Sequence, residues 1–203
     1  MQVHFSFKSL FVTSIFLFGM QTAFCQISYQ DSLKHFISNY IATHDVLQEE
    51  DKKYLRFFPI DESYSVTADF VKADNAAWFE IPTSGKIKKT FRLYGVAKFS
   101  IHDTSVSLNI YQSQNLLQSE KYSDYLFLPF TDLTTGEESY HTGRYIDLTL
   151  KDIKNNKVLF DFNKAYNPSC AYVSDKYNCP IPPRENALSV AIRAGEKAYA
   201  KPH

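Results

Sequence analysis

The chain has 203 residues, with 22 basic and 22 acidic side chains and no net charge. This length fits one domain, or one domain with an extension. Nucleic acids are bound through clustered positive charge, and no basic cluster occurs beyond Lys86-Ile87-Lys88-Lys89. We therefore expect no nucleic-acid partner.

Residues 1–25 have the pattern of a secretory signal peptide. Lys8 makes the start weakly basic, an unbroken apolar run follows at Leu10–Met20, and cleavage is predicted between Cys25 and Gln26. The run of about 11 residues is shorter than the roughly 20 that span a bilayer. Two alternatives stay open: a lipid anchor at Cys25, against which the bulky Phe24 argues, and an uncleaved anchor.

Removal of residues 1–25 leaves 21 basic and 22 acidic residues, a net charge of −1, and two cysteines, Cys170 and Cys179. Two cysteines at this spacing usually pair in an oxidising compartment. A disulfide that closes a loop of about ten residues would stabilise the fold by about 2.5–3 kcal/mol. We therefore expect a secreted or periplasmic protein without a transmembrane span in its mature chain. The sequence names no cofactor.

Residues 26–56 form a predicted N-terminal helical segment. Asp31–Tyr54 is its most regular part, with Asp31 or Ser32 as the N-cap. Phe57-Phe58-Pro59 ends the helical pattern, because a residue before proline avoids the helical conformation. The apolar positions with helical spacing are Leu33, Phe36, Ile37, Tyr40, Ile41 and Leu47.

Residues 57–203 form a predicted single β-rich domain. Alternation of apolar and polar residues indicates strands, and turn residues such as Asn155-Asn156 separate them. The prediction is a mainly β fold, α+β at the margin: an antiparallel meander curled into a barrel-like or sandwich sheet. One N-terminal helix lies across it, and the C-terminal segment is irregular and restrained by the disulfide. The predicted strands are Ser65–Val71, Trp78–Ile81, Lys89–Phe99, Thr104–Tyr111, Tyr125–Phe130, Tyr140–Leu150 and Lys157–Phe162.

Phe130–Tyr145, the first polar block, concentrates chemically active side chains. If the chain is extended after Gly136, Glu137 and His141 point the same way, as an acid/base pair or as two metal ligands. The Arg144 guanidinium suits bidentate capture of a carboxylate, and an internal partner is the favoured interpretation.

A catalytic hypothesis rests on the carboxylates of both polar regions. A hydrolase or lyase would use an acid with a tyrosine or histidine to assist, but no serine elbow, phosphate loop or zinc motif is present. The weak candidates are Asp132, Glu138 and Glu185 as acids, with Tyr140 or His141 assisting.

Asp161–Lys197, the second polar block, combines prolines, two cysteines and many polar side chains in irregular sequence. Crowded polar groups on an ordered loop either build a binding site or form an internal hydrogen-bond network. The candidate ligand-binding residues of the two blocks are Arg144, Tyr145, Asn163, Tyr166, Asn167, Arg184 and Asn186.

Both blocks resemble the bacterial family known as domain of unknown function 1684 (DUF1684). The first fits the pattern F-x-D-x-T-[ST]-G-x-x-[ST]-Y-x-x-G-R-Y, and the second fits D-F-N-x-A-Y-N-P-x-C followed by C-P-x-P-P-x-E-N. The likeness covers roughly residues 45–200, and His141 falls at a variable place in the pattern. The resemblance implies export across, or anchoring to, a membrane in many members. It implies no activity, substrate or cofactor.

Three hypotheses for function follow. The first is an extracytoplasmic domain that binds a small polar molecule or an envelope protein near the Cys170–Cys179 loop. The second is an extracytoplasmic hydrolase or lyase. The third is a purely structural protein of the cell envelope, in which both polar blocks are a packed seam between the sheet and the C-terminal tail.

Overall fold

The computed structural model describes residues 29–202, so the predicted signal peptide, its cleavage site and the alternative lipid anchor lie outside the described residues. Helix α1 occupies residues 29–43. It already contains Asp31 and Ser32, and the N-cap predicted there is wrong. The chain leaves the helix at residue 44 and makes a separate 3-10 helix at Glu49–Tyr54. Lys52 folds back and donates to the Ala42 carbonyl at 2.8 Å, which satisfies an acceptor at the end of α1.

A single antiparallel sheet forms the body of the protein. The strands are β1 Ser65–Lys72, β2 Trp78–Ile81, β3 Lys89–Ile101, β4 Thr104–Ser113, β5 Tyr125–Phe130, β6 Arg144–Thr149, β7 Ile153–Lys154 and β8 Lys157–Asp161. Their order in the sheet is β6-β5-β4-β3-β1-β8-β7, with β2 paired to β3. The mainly β, antiparallel prediction is confirmed, and the sheet is open, because its path ends at β6 and β7. A short helix α2 (Gln114–Leu117) follows β4.

Two tight hairpins set the register of the sheet. Asn155 and Asn156, between β7 and β8, have φ values of 51° and 56°. His102 and Asp103, between β3 and β4, have φ values of 46° and 62°. Positive φ at both central residues matches the twist of the flanking strands. The predicted hairpin at Asn155-Asn156 is confirmed.

The strand predicted from Tyr140 is shorter than expected, because β6 begins at Arg144. The Thr134 carbonyl accepts the backbone N–H groups of the three residues 137–139 at 2.9–3.1 Å, which folds this stretch into tight turns. Glu137 and His141 are therefore not on one face of a strand, and that part of the prediction is wrong. The turn is more stable than the predicted strand because the Asp132 side chain accepts the Thr134 N–H at 2.8 Å.

The irregular C-terminal segment packs on the core of the sheet. Thr131 donates to the Asn186 carbonyl at 3.1 Å and accepts from the Leu188 N–H at 2.8 Å, so the segment extends the end of β5. Leu188, Ile192 and Ala194 are buried in the main core together with the inward residues of the sheet. The second polar block is thus part of the fold.

The side chain of Asn186 joins two strands that have separated. β4 and β5 pair only at Tyr111 and Phe127. Beyond that pair, the Asn186 Oδ1 accepts the Asn109 N–H at 2.8 Å, while its Nδ2 donates to the Asn109 carbonyl at 2.9 Å and the Pro129 carbonyl at 2.6 Å. The side-chain amide is fully buried and supplies the hydrogen bonds that the backbone of a paired strand would otherwise make.

We expect Asn186→Ala to destabilise the fold by about 1–3 kcal/mol, because it leaves buried strand groups without partners. Urea unfolding measures the change. The neighbouring Glu185→Ala is the control, since Glu185 is exposed and its loss should change stability by less than about 0.5 kcal/mol. Equal stability of the two variants would contradict the bridging role.

Candidate functional site

Arg144 lies at the centre of a buried polar network. Its side chain is completely buried, and its guanidinium lies between the rings of Phe58 and Phe130, with its carbon 5.6 Å and 5.2 Å from their centroids. Nη2 donates to Asp132 Oδ2 at 2.9 Å and to the Ile192 carbonyl at 2.7 Å. Nη1 donates to the carbonyls of residues 194 and 196.

Asp132 completes this network from the other side. Its Oδ1 accepts the backbone N–H groups of Thr134 at 2.8 Å and Ile192 at 3.0 Å, while Oδ2 faces Arg144. The carboxylate therefore holds the turn of the first block and the backbone of the second at one point. This geometry favours the internal partner for Arg144, and Asp132 lies in the network rather than in an open cleft.

Two further candidate residues have internal partners. Asn163 is buried and its amide contacts the backbone of Asp61 on both sides, accepting its N–H at 3.1 Å and donating to its carbonyl at 2.8 Å. Asn167 is buried and donates to the Lys197 carbonyl at 2.7 Å. Both amides stabilise irregular backbone by bonding to it, which is a structural role.

Glu196 is a buried acid that sequence reasoning did not select. Its carboxylate accepts the Tyr172 hydroxyl at 2.7 Å and 2.8 Å, the Tyr40 hydroxyl at 3.2 Å and the Asn167 N–H at 2.8 Å. No ammonium or guanidinium contacts the carboxylate among the described residues. Burial therefore dominates and raises the pKa of Glu196 from 4.5 to about 7. The His44 ring packs against Tyr172, and burial lowers its pKa.

The raised pKa makes a specific pH prediction. A carboxyl group with a higher pKa in the folded state contributes stability that is fully present below the unfolded pKa of about 4.5 and is lost as pH rises through about 7. Relative to Glu196→Gln, the wild-type protein should lose about 1–3 kcal/mol of unfolding free energy between pH 4.5 and pH 8. Urea unfolding at both pH values measures this. Parallel pH dependence in the two proteins would contradict it.

Tyr145, in β6, and Tyr166 belong to one aromatic cluster. The Tyr145 hydroxyl donates to the Pro180 carbonyl, and the Tyr166 hydroxyl donates to Asp147 Oδ1 at 2.6 Å. Burial raises the pKa of both tyrosines well above the ordinary value, so both hydroxyls stay protonated donors.

An open polar cavity of about 650 Å³ lies where the two polar blocks meet. Glu137, Tyr140 and His141 line it from the turn of the first block, and Tyr172 and Tyr177 line it from the disulfide loop. Although the predicted strand alternation is wrong, the turn brings Glu137 and His141 to this cavity. The rings of Tyr140 and His141 are in contact, with centroids 4.4 Å apart.

The C-terminal tail closes the third side of the polar cavity. Tyr199 and Lys201 line it, and Lys201 Nζ is 2.6 Å from Asp51 Oδ2. Asp175 adds a carboxylate from the disulfide loop. The lining thus has four tyrosine rings and charges of both signs.

The structure separates the remaining candidate residues. None of the seven predicted ligand-binding residues lines the polar cavity. Of the five weak catalytic candidates, Tyr140 and His141 line it, as does Glu137 of the predicted acid/base pair. Glu138 accepts from Arg193 Nε at 2.8 Å, while Arg184 and Glu185 are exposed. The three carboxylates proposed as catalytic acids therefore do not converge. Within residues 29–202, no three His, Cys, Asp or Glu side chains are arranged to hold a metal ion.

Cys170 and Cys179 form a disulfide bond, as predicted. Cys170 lines the polar cavity, and the Ser84 hydroxyl contacts its Sγ at 2.9 Å while accepting the Cys179 N–H at 3.1 Å. The bond and Ser84 together fix the loop that presents Tyr172 and Tyr177. No helix in the described part of the chain has the length and apolar character needed to cross a membrane.

The fold and the two blocks define a class: a domain with one open antiparallel sheet, a buried arginine–aspartate network and a disulfide-closed loop beside a polar cavity. The chain belongs to the family described as protein of unknown function DUF1684, whose model matches residues 51–197, and the family prediction is confirmed. An uncharacterized protein of Haloarcula marismortui, solved by NMR, is similar, with 28% identity and a TM-score of 0.62. That match covers 84% of this chain and 96% of the other. No curated protein matches the chain.

Proposed function

We propose that this protein is an exported domain that binds a small polar molecule in the polar cavity beside the Cys170–Cys179 loop. The observation that carries the proposal is the convergence of the first block, the disulfide loop and the C-terminal tail on one cavity of about 650 Å³. Ligand cavities commonly measure about 300–1,000 Å³ and place a few polar groups among aromatic walls.

The lining supports a ligand of low net charge. Two carboxylates, those of Glu137 and Asp175, face one ammonium, that of Lys201, which already pairs with Asp51, so the lining disfavours an anion. Tyrosines offer an apolar ring face and a hydroxyl that both donates and accepts hydrogen bonds. A molecule rich in hydroxyl or amide groups fits this lining better than an anion or an apolar molecule.

Rigid walls support the binding role as well. The disulfide restrains the loop that bears Tyr177, and the Glu196 carboxylate holds the Tyr172 hydroxyl from below. Binding costs less when the groups that contact a ligand are already ordered. In this proposal, the buried networks build the walls and the exposed side chains of the cavity contact the ligand.

Native mass spectrometry of the protein purified from its own host tests the proposal. We expect a mass excess that disappears on denaturation and that is absent from a His141→Ala, Tyr177→Ala double variant. Arg184→Ala is the control, because Arg184 is exposed and outside the cavity, and it should keep the excess. An excess that the double variant retains, or a bare chain mass in the wild type, would contradict binding in this cavity.

Export is part of the proposal. A disulfide between Cys170 and Cys179 is typical of an oxidising compartment, and residues 1–25 have the pattern of a signal peptide. The denatured mass should correspond to a chain that begins at Gln26 and lacks two hydrogens. A chain that begins at Cys25 with added acyl mass would instead support the lipid anchor, and a chain that retains Met1 with free thiols would contradict export.

A further inference from the structure

A second cavity, which we call the seam cavity, lies where the sheet fails to close. β8 pairs with β7 only at Lys157 and Val158, so residues 159–161 have no strand partner on that side. β6 is the last strand at the other end of the sheet. Helix α1 covers the gap between β6 and β8, and a space of about 690 Å³ remains beneath it.

The walls of the seam cavity are mainly apolar. Ile146 and Leu148 of β6 and Phe160 of β8 form its floor, while Leu33 and Phe36 of α1 form its roof. Leu33 and the three floor residues are each no more than 4% exposed, so the accessible apolar surface of the cavity comes mainly from Phe36 and from Leu159, which is 56% exposed. Ligand sites are commonly clefts lined mainly by apolar side chains, with a small number of polar groups that orient the ligand. The lining suits an alkyl chain or an apolar ring.

The charged groups of the seam cavity are predominantly acidic. Three carboxylates, Asp147, Asp152 and Asp161, line it against one ammonium, that of Lys164. Asp161 is occupied by internal donors, among them the Tyr29 hydroxyl at 2.9 Å, and Asp152 Oδ2 accepts the N–H and the hydroxyl of Thr149 at 2.7 Å and 2.9 Å. Asp147 uses only Oδ1, which accepts two tyrosine hydroxyls, so within the described residues its Oδ2 has no hydrogen-bond donor.

We propose that the seam cavity binds a small amphiphile with an apolar tail and an ammonium head. The tail lies between α1 and the floor of β6 and β8, and the head lies near Asp147 and Asp152. The tail contributes most of the affinity through burial of apolar surface, and the carboxylates select the sign of the head group. This site is separate from the polar cavity, and its occupant does not depend on the proposed function.

Methyl NMR titrations with octylammonium, octanol and octanoate test this inference. The full exported protein is first unfolded and refolded without reductant, which removes any retained molecule. We expect octylammonium to shift the methyl signals of Leu33, Ile146 and Leu148 at the lowest concentration, and octanoate to be the weakest probe. No shift at these methyls, or equal binding of octanoate and octylammonium, would overturn the proposal.

Two tryptophan variants of α1 test whether the probes bind in the seam cavity, and a third variant tests the choice of head group. Ser32→Trp places a ring at the mouth of the cavity and should abolish the shifts, whereas Asn39→Trp, exposed on α1 and outside the cavity, should not. Asp147→Asn should reduce the preference for octylammonium over octanol by about two- to five-fold. Binding that survives Ser32→Trp, or a preference unchanged in Asp147→Asn, would contradict the assigned site or head group.

Discussion

Arg144→Ala should be among the most destabilising single substitutions in this protein, at about 3–5 kcal/mol. The change leaves the Asp132 carboxylate buried without its cationic partner and removes the donors to three backbone carbonyls, those of residues 192, 194 and 196. Breaking one partner of a buried pair costs far more than an exposed pair contributes. Urea unfolding of the purified variant, or its failure to accumulate in folded form, measures the loss.

Arg193→Ala is the matched control for Arg144. Arg193 also pairs with a carboxylate, Glu138, but its side chain is 61% exposed, so solvent screens the pair. We expect a change of less than about 1 kcal/mol. Similar losses of unfolding free energy in the two arginine variants would mean that the network around Arg144 does not organise the second block. They would instead favour a ligand-binding role for the Arg144 guanidinium.

Gly195→Ala should destabilise the fold by about 2–4 kcal/mol. Gly195 has a φ of 75°, and a Cβ placed there would lie 2.6 Å from the carbonyl oxygens of both Phe162 and Ala165. The glycine lets the backbone approach closely enough for the flanking carbonyls to reach Arg144. The substitution therefore strains the local conformation and displaces two acceptors of the network. Chemical unfolding measures the combined effect.

Gly136→Ala separates the conformational strain of a side chain at positive φ from the clash of an added Cβ with neighbouring atoms. Gly136 has a φ of 88°, yet nothing lies within 4 Å of a Cβ placed there. Only the conformational cost of about 1–2 kcal/mol applies. If both glycine variants lose the same free energy, then the close approach at Gly195 contributes nothing and the packing of residues 194–196 on the network is less tight than the structure shows.

The sheet could be predicted because its signals are local. Alternation of apolar and polar residues marks β1 and β3, and Asn155-Asn156 supplies the positive φ values of a hairpin. The predicted strand boundaries were wrong where a side chain forms hydrogen bonds with the backbone that favour a turn over a strand. Asp132 bonds to its own turn and holds residues 132–143 out of strand β6, which sequence periodicity does not reveal.

The site was harder to predict because its contacts join distant parts of the chain. Glu196 was missed, since its Tyr40 partner lies 156 residues away and no local pattern distinguishes it from a surface acid. The sequence favours an internal partner for Arg144, and in the structure Asp132, a weak catalytic candidate by sequence, contacts its guanidinium. The pattern of the two blocks therefore indicated which residues matter, and only the structure divides them between network and cavity.

We propose that the buried networks of the two blocks hold the walls of the polar cavity and that a bound molecule orders these walls further. Hydrogen–deuterium exchange tests it most directly, by comparing protein as purified from its host with the same protein after unfolding and refolding without reductant. We predict faster exchange after stripping in residues 136–141, 170–177 and 198–201, and unchanged exchange in β3 and β4. Identical exchange throughout, or changes confined to other segments, would contradict a bound molecule in the polar cavity.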